Sequence, residues 1–377
     1  MPDQDQTNTD ADAARHSPLH TVHESLGATF TDFAGWQMPV RYSSDLAEHK
    51  AVREAAGIFD ISHMAEFTVT GASAGEYLDY ALAGRLSALA VGRAKYSLLL
   101  TAAGGVVDDV IVYRLQDAEY LIISNAGNRD AVSTSLAERA TGFDASVSDV
   151  SDDYALIAVQ GPNAESILAG TSEIRELSVP WREQKYFAWA AARFGTSSLL
   201  LARTGYTGED GFELLVKTSE AAALWNAVTL AGEALGLVPA GLAARDSLRL
   251  EAGMPLYGHE LSRELKPAQA GLGRVVVAAK ETFVGKDAVE PDEGAHVLVG
   301  LVSDGRRAGR TGYPVLSGDS EVGTVTSGIL SPTLGHPIAM ALVAPDVAEA
   351  GTELDIEVRG KRIAATVTTL PFYSRKK

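Results

Sequence analysis

The feature that most constrains this chain is a change of texture near residue 289. From 296 to 373 the sequence is a succession of short apolar stretches broken by Gly, Asp, Ser and Pro, the spacing of a small all-β sandwich or barrel. Upstream, apolar stretches alternate with segments of helical period, so strands and helices are mixed. Between the two lies VEPDEGA at 289–295, a linker of Pro, Gly and acid residues. A chain of 377 residues also exceeds what one hydrophobic core usually organises, which favours the same division. The expectation is an α+β protein with a disordered tail at 1–16, a mixed region at 17–288, a linker at 289–295 and an all-β domain at 296–377.

Local patterns fill in the mixed region. Helical periods occur at 45–57, 126–140, 163–170, 219–236 and 242–252, the first ending at Gly57 as a glycine-capped helix does. Apolar or alternating stretches at 66–70, 96–100, 106–113, 120–124, 154–159, 197–202 and 212–216 read as strands.

Composition removes several kinds of chemistry. With no cysteine there is no disulfide, thiolate metal site, iron–sulfur ligation or cysteine nucleophile. The eight histidines form no metal-ligand spacing, and no metal is expected. A formal charge of −17 and the lack of a basic stripe argue against nucleic acid as a partner. Residues 1–16 have no apolar core of a secretory signal, and no stretch has the length of a membrane span, so a soluble cytoplasmic protein is expected.

Three segments carry candidate chemistry. In GGVVDDVIVYRL (104–115) a Gly-Gly turn feeds an apolar strand with two adjacent carboxylates, Asp108 and Asp109. Neighbours on a strand face opposite ways, so a covered sheet must bury one of them with a partner or a task; a turn-capping pair is the plainer alternative. In RTGYTGEDGFELLV (203–216) a Gly-rich turn enters a strand in which Glu213 interrupts an apolar run. A carboxylate held there suits the paired N–H groups of an aminopyrimidine or pterin edge, unless it faces solvent on a half-exposed strand. In LAARDSLRLEAG (242–253) Arg245 and Arg249 share a helix face, which suits a carboxylate ligand or an internal network with Asp246 and Glu251.

Together with GWQMPVRY (35–42), FDISHM (59–64), SNAGNRD (124–130), VQGPNA (159–164), FVGKDA (283–288), GTVTSGILSPTLG (323–335) and PFY (371–373), these blocks resemble the T proteins (aminomethyltransferases) of the glycine cleavage system from about residue 17 onward. One departure is Ala65, where that family often has Gly. The resemblance implies a folate-binding region of two mixed α/β subdomains in a compact ring, followed by a small C-terminal β-barrel. It implies transfer of a methylene from the aminomethylated lipoyl arm of the H protein to tetrahydrofolate, with release of ammonia. By position in the motifs it implies Asp108 as the catalytic carboxylate beside the reactive folate nitrogens. It also implies Glu213 as the pterin anchor, with Arg245 and Tyr373 as folate contacts, Arg310 as a sensitive arginine, and Tyr96, Asn125 and Tyr206 as pocket residues. A demethylase that passes a methyl group from a small donor to tetrahydrofolate would share such a pocket. A folate-binding iron–sulfur accessory protein would carry a cysteine motif that this chain lacks, and a flavin amine dehydrogenase would need a further dinucleotide-binding domain.

Overall fold

The computed structural model describes residues 14–375, so most of the expected tail at 1–16 lies outside the described residues. Its last two residues, Arg15–His16, form a short strand parallel to Trp36–Arg41, with the Arg15 guanidinium 4.1 Å from the centre of the Trp36 ring. A cation over an aromatic face gives this stretch a tertiary contact that its polar sequence conceals. The strand Thr29–Phe33 pairs on the other side of Trp36–Arg41 and completes a three-stranded sheet.

Two larger sheets dominate the mixed region. One has seven strands in the order Ile174–Arg175, Trp189–Phe194, Ser197–Ala202, Gly211–Lys217, Tyr154–Gln160, Ala56–Asp60, Leu237–Pro239. The other has five: Ala94–Leu100, Val106–Gln116, Glu119–Ser124, Ala65–Thr70, Ser146–Asp149. The period of two along each strand sorts its side chains into layers. Ile157, Leu214 and Val216 point outward onto a core completed by Trp225 of the helix Ala221–Gly232. Val110 and Val112 point to a separate core under the helices Ala74–Ala81 and Arg129–Arg139. The alternate residues, among them Ile61, Ile111, Tyr113, Leu121, Leu156 and Leu215, meet in a third layer with Leu248 of the helix Leu242–Glu251. Functional side chains carried by these strands on the same parity therefore converge on that layer.

After the linker, six strands close into a barrel: Val297–Ser303, Pro337–Val343, Ser320–Leu330, Pro314–Ser317, Glu353–Val358 and Lys361–Thr368. Closure leaves no free sheet edge. The barrel has its own core, including Leu301, Val315, Val325 and Ile356.

One local expectation is corrected. The first long helix is Asp45–Glu54, N-capped by the Ser44 hydroxyl, and Gly57 lies inside the strand Ala56–Asp60 rather than at a helix end. A Cβ at Gly57 would stand 2.5 Å from the Val52 side chain, so the glycine is required by the close approach of strand to helix.

Candidate active site

A cavity of about 820 Å³ opens where the layer between the two sheets meets the start of the helix Leu242–Glu251. Ile61, Ile111, Ile123, Leu156 and Phe187 make its wall apolar. Polar groups reach it from a few directions, the composition of a small-molecule site.

The carboxylate pair stands on one side. Gly104 has φ +83° and lies where a Cβ would be 2.1 Å from the Ala288 carbonyl; at Gly105 a Cβ would be 1.8 Å from that of Arg263. Only glycines fit this turn beneath the chain that crosses it. The strand that follows separates the two acids. Asp109 shares parity with Ile111 and Tyr113 and lines the cavity; Asp108 shares parity with Val110 and Val112 and is fully buried behind it. Asp109 is thus the member that faces the space, and Asp108, expected at the catalytic position, is the member behind the wall.

The pair is tied together by Asn125. Its Nδ2 donates to Asp108 Oδ1 and to Asp109 Oδ1, each at 2.8 Å, and its backbone N–H donates to Asp108 Oδ2 at 2.9 Å. Asn128 Nδ2 adds a further bond to Asp108 Oδ1 at 2.7 Å. The Tyr96 hydroxyl donates to Asp109 Oδ2 at 3.0 Å. Burial pushes both acids above the usual carboxylate range, and repulsion from Asp109 adds to the shift of Asp108.

Glu213 lies across the cavity, on the inner parity of the strand Gly211–Lys217. It accepts the Thr204 hydroxyl at 2.5 Å, and Tyr113 is within hydrogen-bond reach of the same hydroxyl at 3.2 Å. Burial raises its pKa. Arg245 enters from the helix with its guanidinium carbon 4.9 Å from the centre of the Tyr206 ring; it makes no ion pair within 4 Å among the described residues. The Tyr206 hydroxyl is fixed on the Pro255 carbonyl at 2.5 Å. Tyr96, Asn125, Tyr206, Glu213 and Arg245 are therefore brought together as expected.

Two expected residues are placed elsewhere. The Tyr373 hydroxyl donates to Glu209 at 2.8 Å, its amide donates to the Glu251 carbonyl, and its ring lies 4.0 Å from the Arg53 guanidinium carbon. This position is in the seam between the barrel and the mixed region, not on the cavity wall. Arg310 is exposed on a barrel loop and donates to the Gly328 carbonyl at 3.1 Å. Its neighbour Thr311 donates to the Thr326 carbonyl, which also takes His259 Nδ1, a cavity residue, so Arg310 marks the rim.

Sequence reasoning passed over His63 and Asn128. His63 lines the cavity with 3% exposure, its Nδ1 is buried without a partner, and Phe33 packs edge-on at 5.3 Å. Burial and the charge of Arg245 lower its pKa to about 4, so the ring is neutral. Its position in FDISHM was the available signal, and a search for metal spacings does not find it. Asn128 was hidden within SNAGNRD because its task is directed at Asp108 rather than at the cavity.

Comparison with known proteins bears on the fold and the family. Residues 19–280 match the GCVT N-terminal domain and residues 296–374 the glycine cleavage T-protein C-terminal barrel domain. An aminomethyltransferase of Cutibacterium acnes is 56% identical over 367 residues, covering 96% of this chain and 99% of the relative. One of Saccharopolyspora erythraea is 55% identical over 368 residues, covering 96% and 98%. The crystal structure of glycine cleavage system aminomethyltransferase T from Bartonella henselae superposes with a TM-score of 0.88 at 36% identity, covering 96% of this chain and 98% of that one.

Proposed function

Since the chain belongs to the glycine cleavage T-protein family, and is a tetrahydrofolate-dependent aminomethyltransferase, we propose that Asp109 and Glu213 divide its work between chemistry and anchoring. The donor is the aminomethylated lipoyl arm of the H protein, and the acceptor is tetrahydrofolate. Transfer removes the two N–H protons of the folate, one restoring the carrier thiol and one leaving with the amine as ammonia.

The residues fit a reduced folate. Glu213 offers a carboxylate to the N–H groups of a pterin edge, as its place in an apolar strand suggests. Arg245, without a protein counter-ion, suits the carboxylates of the glutamyl tail, and the apolar wall with Tyr206 suits the rings. Asp109 faces the space where the reacting nitrogens would lie; there it orients the folate, and the acid pair it forms with Asp108 offsets the positive charge that grows as the amine departs. The one observation that carries the reading is that Asp109, Glu213 and an arginine with no ion pair among the described residues line one cavity, in an apolar surround.

The docking side of the reading rests on charge. Arg306, Arg307 and Arg310 are exposed on the barrel loop between Ser303 and Pro314 and form no ion pair among the described residues, in a chain of net charge −17. We assign this loop to an acidic carrier, whose arm would then enter past His259.

The test is ammonia release from aminomethylated H protein on addition of tetrahydrofolate, with methylenetetrahydrofolate as the second product. A chain that yields neither, while passing a methyl group from a small methylated donor to tetrahydrofolate, is a demethylase and overturns the assignment.

A further inference from the structure

Asp108 has no access to the cavity, yet it receives more hydrogen bonds than the acid that has. All three of its donors are N–H groups: the Asn125 amide and side chain and the Asn128 side chain, at 2.9, 2.8 and 2.7 Å. None of these can accept a proton in return. Asp109 has a different surround. One of its oxygens meets the Tyr96 hydroxyl, which can turn and accept, and its carboxyl opens on the cavity. The single amide of Asn125 bridges the two acids, so their charges are not independent.

We propose that Asn125 and Asn128 are positioning residues that hold Asp108 as the anion of the pair and so leave the pair's one proton on Asp109. The proposal rests on the functional reading above and extends it to the resting charge of the site. One negative charge is fixed behind the cavity wall, and a proton is held where the amine departs. Burial raises both acids, which favours retention of a proton by the pair. The ionisable groups facing the pair are Tyr96, Tyr206 and Tyr257, with Arg245 and Arg249 beyond Tyr206. All three tyrosines are raised by burial, so they stay neutral while the acids titrate.

The experiment is the pH profile of ammonia release at saturating tetrahydrofolate, in the whole enzyme with aminomethylated H protein. The wild type should lose activity on an alkaline limb, as the pair gives up its proton. Asp108→Asn removes the repelling charge, so the limb should move to lower pH. Asn128→Ala removes a donor from Asp108 and draws the proton toward it, so the plateau should fall and the limb move to higher pH. Each shift should be on the order of one pH unit, the effect of one hydrogen bond to a charged group. Limbs that stay in place in active variants, or that move the same way, would overturn the proposal. Should Asp108→Asn not fold, Asn128→Ala decides alone. An infrared titration of the protonated carboxyl band gives a readout without turnover: the band should persist to higher pH in Asn128→Ala than in the wild type. That measurement separates failure of this proposal from failure of the functional reading, which would appear as a wild type that releases no ammonia.

Discussion

The molecule buries charge in two places, and it treats that charge in opposite ways. In the seam between the barrel and the folate region, Glu251 receives Arg53, His49, Ser331 and Thr333, while Arg53 also reaches Glu209 and the Thr207 carbonyl. Arg249 is likewise held by Asp246, Glu260, Ser327 and the Met254 carbonyl. Every one of these charges meets a partner from the chain. In the cavity, among the described residues, Arg245 has no counter-ion, His63 Nδ1 has no partner, and two acids share one asparagine amide. Charges satisfied internally hold a fold together, and charges left short of partners are reserved for a ligand.

The largest effect that would test this contrast is Asp109→Ala. Turnover should fall by about 10²–10⁴-fold, with folate affinity little changed and the melting temperature unchanged or raised, because a buried carboxyl that is costly to ionise is removed. Single-turnover ammonia release and a thermal melt check both halves, and lost binding with intact turnover would erase the distinction. Glu251→Ala should do the reverse. It takes one of two carboxylates from Arg53 and the acceptor from His49, Ser331 and Thr333 in a buried seam, and should lower stability by about 3–5 kcal/mol in denaturant unfolding, with folate affinity kept in the folded fraction. The same residue gives a pH signature. Its partners hold Glu251 down at about 2, below its ordinary 4.5, so its stabilisation is present above the ordinary value and is lost as pH falls toward 2. The Glu251 variant should therefore show a shallower acid limb in a melt series.

Smaller effects sharpen the boundary between the two places. Glu213→Ala should weaken tetrahydrofolate binding by about 1.5–3 kcal/mol in a calorimetric titration, the loss of a hydrogen bond to a charged group. Reversing Arg306 and Arg307 to Glu should raise KM for the carrier while kcat holds, more strongly at low salt. Tyr373→Phe should cost about 0.5–1.5 kcal/mol of stability through its lost bond to Glu209. Folate affinity should not change in that variant; a weakened titration would return Tyr373 to the cavity.

Much of this was legible in the chain, and the limits have physical causes. The barrel and the Gly-Gly turn follow from local periodicity and from glycines placed under crossing chain, whereas periodicity alone left Glu213 free to face solvent. Alternation showed that Asp108 and Asp109 must part, yet it does not say which side of a sheet will be lined by ligand; that depends on the opposing sheet, whose strands lie far away in sequence. Gly57 was misread because a glycine that lets a strand approach a helix has the same local context as one that caps it. Tyr373 could be assigned by resemblance to a binding role, but its true neighbours, Arg53, Glu209 and Glu251, come from three separate stretches of chain.

The placement of the last residues has a consequence for biosynthesis. Tyr373 reaches Glu209 and Glu251, and Arg375 lies 3.3 Å from Asp210, so the final segment fastens parts translated long before it. A ribosome that stops short of Tyr373 would release a polypeptide carrying every cavity residue and lacking its fastening. Premature termination there should therefore register as faster proteolytic clearance in the cell before it registers as altered chemistry.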